Sequence, residues 1–162
     1  PGRGSRSGMT DKTNVMRILE QHGIPFVPHA YDPAETEGVK VAALVGKDPD
    51  SVFKTLVTRA GQEFLVFVIP VSCTLDLKKA ARAAAVKSVE MIRQKELFPL
   101  TGYVHGGCSP VGMKKAFRTF VDETAQLFGT ICVSAGKLGH QVELSPSDLC
   151  GLIGAPYADL TA

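Results

Sequence analysis

The sequence predicts a single α+β domain built on a mixed β-sheet, and three observations carry that prediction. Helical and strand patterns interleave along the chain. Two apolar strands, Val52 to Arg59 and Glu63 to Ile69, are joined by Ala60-Gly61-Gln62 alone, which is short enough for an antiparallel hairpin and argues against a doubly wound parallel sheet. The length of 162 residues, 44% hydrophobic and 21% charged, suits one globular core.

Taken in order, Thr10-Asp11 can cap a first helix from about Thr13 to His22, with Val15, Ile18 and Leu19 as its apolar stripe and Gly23 as its stop. Ile24 to Tyr31 is extended and punctuated by proline. Asp32-Pro33 marks a turn, and Thr36 can cap a second helix through Val39, Ala42, Ala43 and Val45 to Gly46. After a loop at Lys47-Asp48-Pro49-Asp50 and the hairpin, Asp76 caps a helix from Leu77 to Ala85, where apolar Leu77, Ala80, Ala81 and Ala84 alternate with Lys78, Lys79 and Arg82. Val86 to Met91 fits neither period, and Arg93 to Leu100 reads as helix despite Pro99. Strands at about Arg118 to Val121, Thr130 to Ser134 and Gln141 to Leu144 are separated by a short helix, Glu123 to Phe128, and a turn at Ala135-Gly136. A last helix, capped by Ser145 or Ser147, runs to about Leu152.

Pro1 to Gly8 reads as an expression scar, so the domain is expected to span residues 9–162. The formal charge of +2 is then supplied by Arg3 and Arg6, and the chain from Met9 onward is neutral. A globally basic nucleic-acid binder is excluded. Basic residues nevertheless concentrate locally, with nine Lys/Arg against three Asp/Glu between residues 76 and 118. That stretch is either a solvated helix surface or a phosphate-contacting face.

No apolar run approaches the ~20 residues that span a bilayer, and no secretory signal is visible, so a soluble cytoplasmic protein is expected. Cys73, Cys108, Cys132 and Cys150 form no close pair, and His22, His29, His105 and His140 are equally scattered. We therefore expect a reducing compartment and no metal or other cofactor.

Three segments carry candidate chemistry. Lys54 lies in Val52-Phe53-Lys54-Thr55-Leu56-Val57-Thr58, a strand pattern in which alternation puts the lysine with Val52 and Leu56 on the face expected to turn inward. Either its stem covers apolar surface while the ammonium reaches water, or the charge lines a pocket for an anionic or polarised ligand. From Thr101 to Gly112 four glycines and a proline form a tight loop whose backbone groups can approach a ligand closely. It lacks the Gly-Lys-Ser/Thr ending of a Walker loop. Within it Cys108 is a tempting nucleophile, although a free cysteine also packs as a small hydrophobe, and His105 reads as a loop residue. Ser109 either contacts a substrate or caps the turn before Pro110. The third segment, Val133-Ser134-Ala135-Gly136-Lys137 leading into Val142-Glu143-Leu144, reads as strand, glycine turn, strand.

Jointly and in this order, these segments resemble the YbaK-type aminoacyl-tRNA deacylases, which also occur as editing domains attached to bacterial prolyl-tRNA synthetases. Asp32-Pro33-Ala34-Glu35-Thr36 and Leu75-Asp76-Leu77-Lys78-Lys79 are similar to that family too, and the likeness runs from Met9 to Asp159. The resemblance implies a mixed, partly barrel-like sheet surrounded by helices, with a pocket for the 3′ aminoacyl-adenosine of a mischarged tRNA. It implies that Lys54 and the loop glycines Gly106 and Gly107 are catalytic, and that Tyr31, Thr55, Ser109, Pro110 and Ser134 bind substrate. The expected activity is trans-editing hydrolysis of cysteine from tRNA(Pro), without a cofactor and with prolyl-tRNA synthetase as a partner. Alanyl-tRNA(Pro) deacylation and a non-catalytic tRNA- or nucleotide-binding module are the alternatives. The chain departs from the family in the spacing after Tyr31 and at Gln141, where a family aspartate stands; a role that needs negative charge cannot operate from Gln141.

Overall fold

A computed structural model describes residues 12–162. Helix α1 (Asn14–Gln21) is capped by Thr13, whose side-chain oxygen accepts from the Met16 N–H at 3.2 Å. The expected cap at Thr10-Asp11 lies outside the described residues. Strand β1 (Val27–Ala30) precedes α2 (Gly38–Leu44), whose cap position is Glu37, with no side-chain cap bond, and not Thr36 as expected.

The hairpin forms as β2 (Phe53–Ala60) and β3 (Glu63–Pro70). Asp76 caps α3 (Leu77–Ala84) by accepting from the Lys78 and Lys79 N–H groups at 2.9 and 3.1 Å. The ambiguous stretch contains a two-residue strand, β4 (Glu90–Met91). The expected helix after it splits into a 3₁₀ turn, Gln94–Glu96, and α4 (Leu97–Thr101). Pro99 is tolerated there because it falls in the first turn of α4, where an N–H would have no intrahelical partner. The chain continues through β5 (Arg118–Asp122), a 3₁₀ helix at Glu123–Leu127, β6 (Ile131–Ser134) and β7 (His140–Leu144). Helix α5 (Pro146–Ile153) is capped by Ser145, and β8 (Tyr157–Ala158) closes the chain.

The strands form two sheets, ordered β1-β7-β6 and β4-β2-β3-β5-β8. The larger is mixed, because β2 and β3 run antiparallel while β3–β5 and β5–β8 are parallel. A single parallel bridge between Val52 and Cys132 joins the sheets, which do not close into a barrel.

β3 is central and covered on both faces, which is why Phe64-Leu65-Val66-Phe67-Val68-Ile69 is a continuous apolar run with no alternation. Val66 and Val68 join Phe53, Val57, Leu19, Leu144 and Leu149 in the core between the sheets. Leu65, Phe67 and Ile69 pack with the alanine face of α3. Burying each large aliphatic or aromatic side chain of this set contributes about 1.5–3 kcal/mol. β2 is likewise packed on both sides: Phe53 and Val57 enter the core between the sheets, while Leu56 leans on the α3 cluster. The face of Val52, Lys54 and Leu56 turns inward as expected, but the opposite face is covered too, so the half-buried reading of this strand is corrected. Among the described residues no helix is long and apolar enough to cross a membrane.

Candidate active site

A cavity of about 380 Å³ opens where the start of β2, the entry to α2, the glycine loop and the β6–β7 sheet meet. Lys54 and Thr55 line it from β2, Tyr31 from the end of β1, and Ser134 and Gln141 from β6 and β7. His105, Gly106 and Cys108 reach it from the loop. Lys54 is half-buried, and its ammonium has no hydrogen bond or ion pair among the described residues. Two buried side-chain oxygens in the described chain lack a hydrogen-bond partner, Thr55 Oγ1 and Gln141 Oε1, and both residues border this cavity. A buried polar atom left unpaired costs about 1–3 kcal/mol, so their shared location marks a place shaped for a polar ligand.

The glycine loop is fixed by close contacts. Gly106 has φ +87°, and a Cβ there would lie 2.9 Å from both Leu138 Cδ2 and Thr36 Cγ2; a side chain would disturb the cavity wall. Its N–H has no partner among the described residues. The Gly107 N–H is already spent on the Val104 carbonyl at 2.9 Å, and Gly107 does not line the cavity. Ser109 is fully buried and its oxygen accepts from the Val111 N–H at 3.2 Å, which makes it a turn cap. Pro110 faces a separate depression with Met113 and Phe117. Thus Lys54, Gly106, Tyr31, Thr55 and Ser134 are brought together, whereas Gly107, Ser109 and Pro110 stand behind the cavity wall. The Tyr103 hydroxyl donates to the Val111 carbonyl and ties the loop's two ends together.

Tyr31 is held by its N–H, which donates to the Gly139 carbonyl at 2.9 Å. Gly139, at φ +84°, admits this approach because a Cβ there would sit 2.9 Å from the Tyr31 carbonyl oxygen. The Ser134 oxygen accepts from the Gly136 N–H at 3.1 Å. Burial pushes the Cys108 thiol up to about 12 and so disfavours the thiolate at pH 7. That weighs against Cys108 as the nucleophile of a cysteine hydrolase.

Two residues beyond Gln141, and on the same face of β7, Glu143 is the hub of a polar cluster. Its carboxylate accepts from Thr130 Oγ1 at 2.6 Å, pairs with His29 Nε2 at 2.9 Å and binds Lys47 Nζ at 3.0 Å. The Thr130 bond first, then those from His29 and Lys47, hold the carboxyl down at about 2. Cys132 lies opposite Glu143 on β6, so ligand-type atoms of His29, Cys132 and Glu143 fall within 4.8 Å of one another. The scattered cysteines and histidines of the sequence gave no sign of this convergence. The Lys47 ammonium on Glu143 already supplies the positive charge that the carboxylate needs.

A family model for the aminoacyl-tRNA editing domain matches residues 32–152. The chain belongs to this family. A relative from Enterococcus faecalis, named as a candidate Cys-tRNA(Pro)/Cys-tRNA(Cys) deacylase, EbsC, is 44% identical over 153 residues, covering 93% of each protein. The crystal structure of a candidate trans-editing enzyme for prolyl-tRNA synthetase superposes with a TM-score of 0.80 at 25% identity, covering 91% of this chain and 96% of that one. A hypothetical protein of known crystal structure gives 0.84 at 25% identity, over 91% and 99%.

The editing domain's cavity also contains residues that the motifs did not single out as site residues. Val41, Val71 and Leu97 give it apolar walls, and Glu37 gives it a carboxylate. Gly38 packs so tightly on Val71 that a Cβ would lie 2.5 Å from Val71 Cγ1. These contacts join segments distant in sequence, and only Glu37, adjoining the Asp-Pro-Ala-Glu-Thr stretch, carried a signal within reach of a motif.

Proposed function

We propose that this protein is a freestanding trans-editing hydrolase that removes wrongly attached cysteine from tRNA(Pro). The observation that carries the reading is the cavity that brings the unpaired Lys54 ammonium together with Thr55, Ser134, Tyr31 and the open Gly106 N–H. Lys54 holds the anionic end of the 3′ aminoacyl-adenosine. The Gly106 N–H donates to the carbonyl oxygen as negative charge develops there. Ser134 supplies a hydroxyl for the ribose, and Tyr31 closes the side formed by β1.

The cavity offers no activated protein nucleophile, because the Cys108 thiol stays protonated. The substrate supplies one instead. Its side-chain sulfur attacks the ester carbonyl, the C–S bond forms as the bond to the ribose oxygen breaks, and the thiol proton leaves with that oxygen. The products are a cyclic thiolactone and uncharged tRNA, and water then opens the thiolactone carbonyl, breaking the C–S bond to give free cysteine. Removal of cysteine is supported by the 44% identity to the relative named as a candidate Cys-tRNA(Pro)/Cys-tRNA(Cys) deacylase. Prolyl-tRNA synthetase is the partner that would present the mischarged tRNA.

The test is release of labelled cysteine from preformed cysteinyl-tRNA(Pro), comparing the native chain with Lys54→Ala. We expect rapid release by the native chain and a loss of roughly two orders of magnitude in the variant, with its melting temperature retained. Release by neither protein would sink the cysteinyl specificity. Equal losses of activity and melting temperature would reduce Lys54 to a surface-covering side chain.

A further inference from the structure

We propose that Glu37 receives the α-ammonium group of the aminoacyl ester, a role that rests on the deacylase reading of the same cavity. The side chains lining it carry one ammonium, on Lys54, and one carboxylate, on Glu37. The substrate end has the complementary pair, an anionic phosphate on one side of the ester and a cationic α-ammonium on the other. β7 contributes only the neutral carboxamide of Gln141, 6% exposed, with Oε1 left as an unpaired acceptor. A donor-rich, positively charged group suits these acceptors: the ammonium has three N–H bonds to give, and Glu37, Gln141 Oε1 and Thr55 Oγ1 all border the space it would enter.

Glu37 is also free to do this. Its ion-pair partner is Lys40, one turn on in α2 at 3.3 Å, with both side chains largely exposed. Such a pair contributes about 0–1 kcal/mol and yields readily to a ligand. Although Glu37 occupies the cap position of α2, its side chain makes no cap hydrogen bond, so replacing it leaves the helix start intact. The N–H of Glu37 is fixed separately by Glu35 Oε2 at 3.0 Å, which holds the residue at the cavity mouth.

The experiment compares Glu37→Gln and Lys40→Ala with the native chain at pH 6.5, where an α-amino group is mostly protonated. Two substrates are used: cysteinyl-tRNA(Pro) and its counterpart with a hydroxyl in place of the α-amino group. For the amino substrate, Glu37→Gln should raise KM about five- to tenfold with kcat within twofold. Lys40→Ala, which frees the carboxylate, should lower KM about twofold. Neither change should alter kinetics on the hydroxy substrate. A Glu37→Gln effect equal on both substrates, or no effect while the native chain turns over normally, overturns the inference. A native chain inactive on both substrates overturns the deacylase reading, and this inference with it.

Discussion

Replacing Glu143 with glutamine should expose how much the polar cluster beside the cavity contributes to stability. The carboxylate is 13% exposed and accepts from Thr130, His29 and Lys47. Its folded value of about 2 lies below the ordinary 4.5. A depressed carboxyl stabilises the fold above the unfolded value, and the contribution is lost as pH falls from about 4.5 toward 2. The full shift corresponds to about 3 kcal/mol, and since the cluster opens on solvent beside Lys47 we take about 2 kcal/mol for the charge at pH 7. For a chain of this size that is a fall of roughly 4–8 °C in Tm. Glutamine keeps one acceptor oxygen but loses the charge, and an N–H₂ turned toward the Lys47 ammonium would set a donor against a donor. Urea unfolding of both proteins at pH 7, 4.5 and 3 gives the assay. The difference should be fully developed at pH 7 and shrink to well under half by pH 3. Equal stability at pH 7, or a gap that does not change with pH, would refute the argument that the charge on Glu143 is what matters.

Gly139→Ala should cost about 2–3 kcal/mol in chemical denaturation, because it combines a left-handed backbone with a Cβ placed 2.9 Å from the Tyr31 carbonyl oxygen, which cannot swing away. Gly129→Ala, with open space around its Cβ, should stay within about 0.5 kcal/mol of the native chain, and similar losses for the two would mean that Gly139 is not a close-approach site. Cys108→Ser should keep the release rate within about threefold, and alkylation at pH 7 should be slow, as burial holds the thiol at about 12. A hundredfold loss of activity in that variant would restore Cys108 as a nucleophile.

The fold was legible where local chemistry and burial agree. The hairpin turn, the Asp76 cap and the Ser145 cap are local devices that stand where expected, with the turn one residue shorter than read because Ala60 pairs with Glu63 inside the hairpin. Alternation found one covered face of β2 and missed the other, because a strand covered on both faces has no solvent side to alternate toward. The two-residue strands β4 and β8 are too short to show a period, and they exist through pairing with Arg59 and Thr58 on β2 and with Val121 and Asp122 on β5. Motif order pointed to Lys54, Thr55, Gly106 and Ser134, which the fold brings to one cavity. It could not separate Gly106, whose N–H faces no protein acceptor, from Gly107, whose N–H closes a turn. Ser109 shows the same limit: a serine before proline is a turn cap or a ligand contact, and only its burial decides.

The basic stretch from residue 76 to 118 bears on how a tRNA would be held. Lys79 is engaged with Asp159 at 3.1 Å, Arg118 with Glu63 at 2.8 Å, and the Lys114 ammonium donates to the Pro99 carbonyl at 3.4 Å. Those charges are partly spent inside the protein. Lys78, Arg82, Lys87, Lys95 and Lys115 make no ion pair among the described residues, and the chain as a whole carries a formal charge of only +2. A handful of phosphate contacts releases few counterions, so binding of the tRNA body would be weak and would respond only modestly to salt. For an editing enzyme that weakness is useful. Correctly charged tRNA shares the same phosphates, and a strong hold on them would sequester it; with a weak hold, discrimination rests on the cavity, where the aminoacyl group differs.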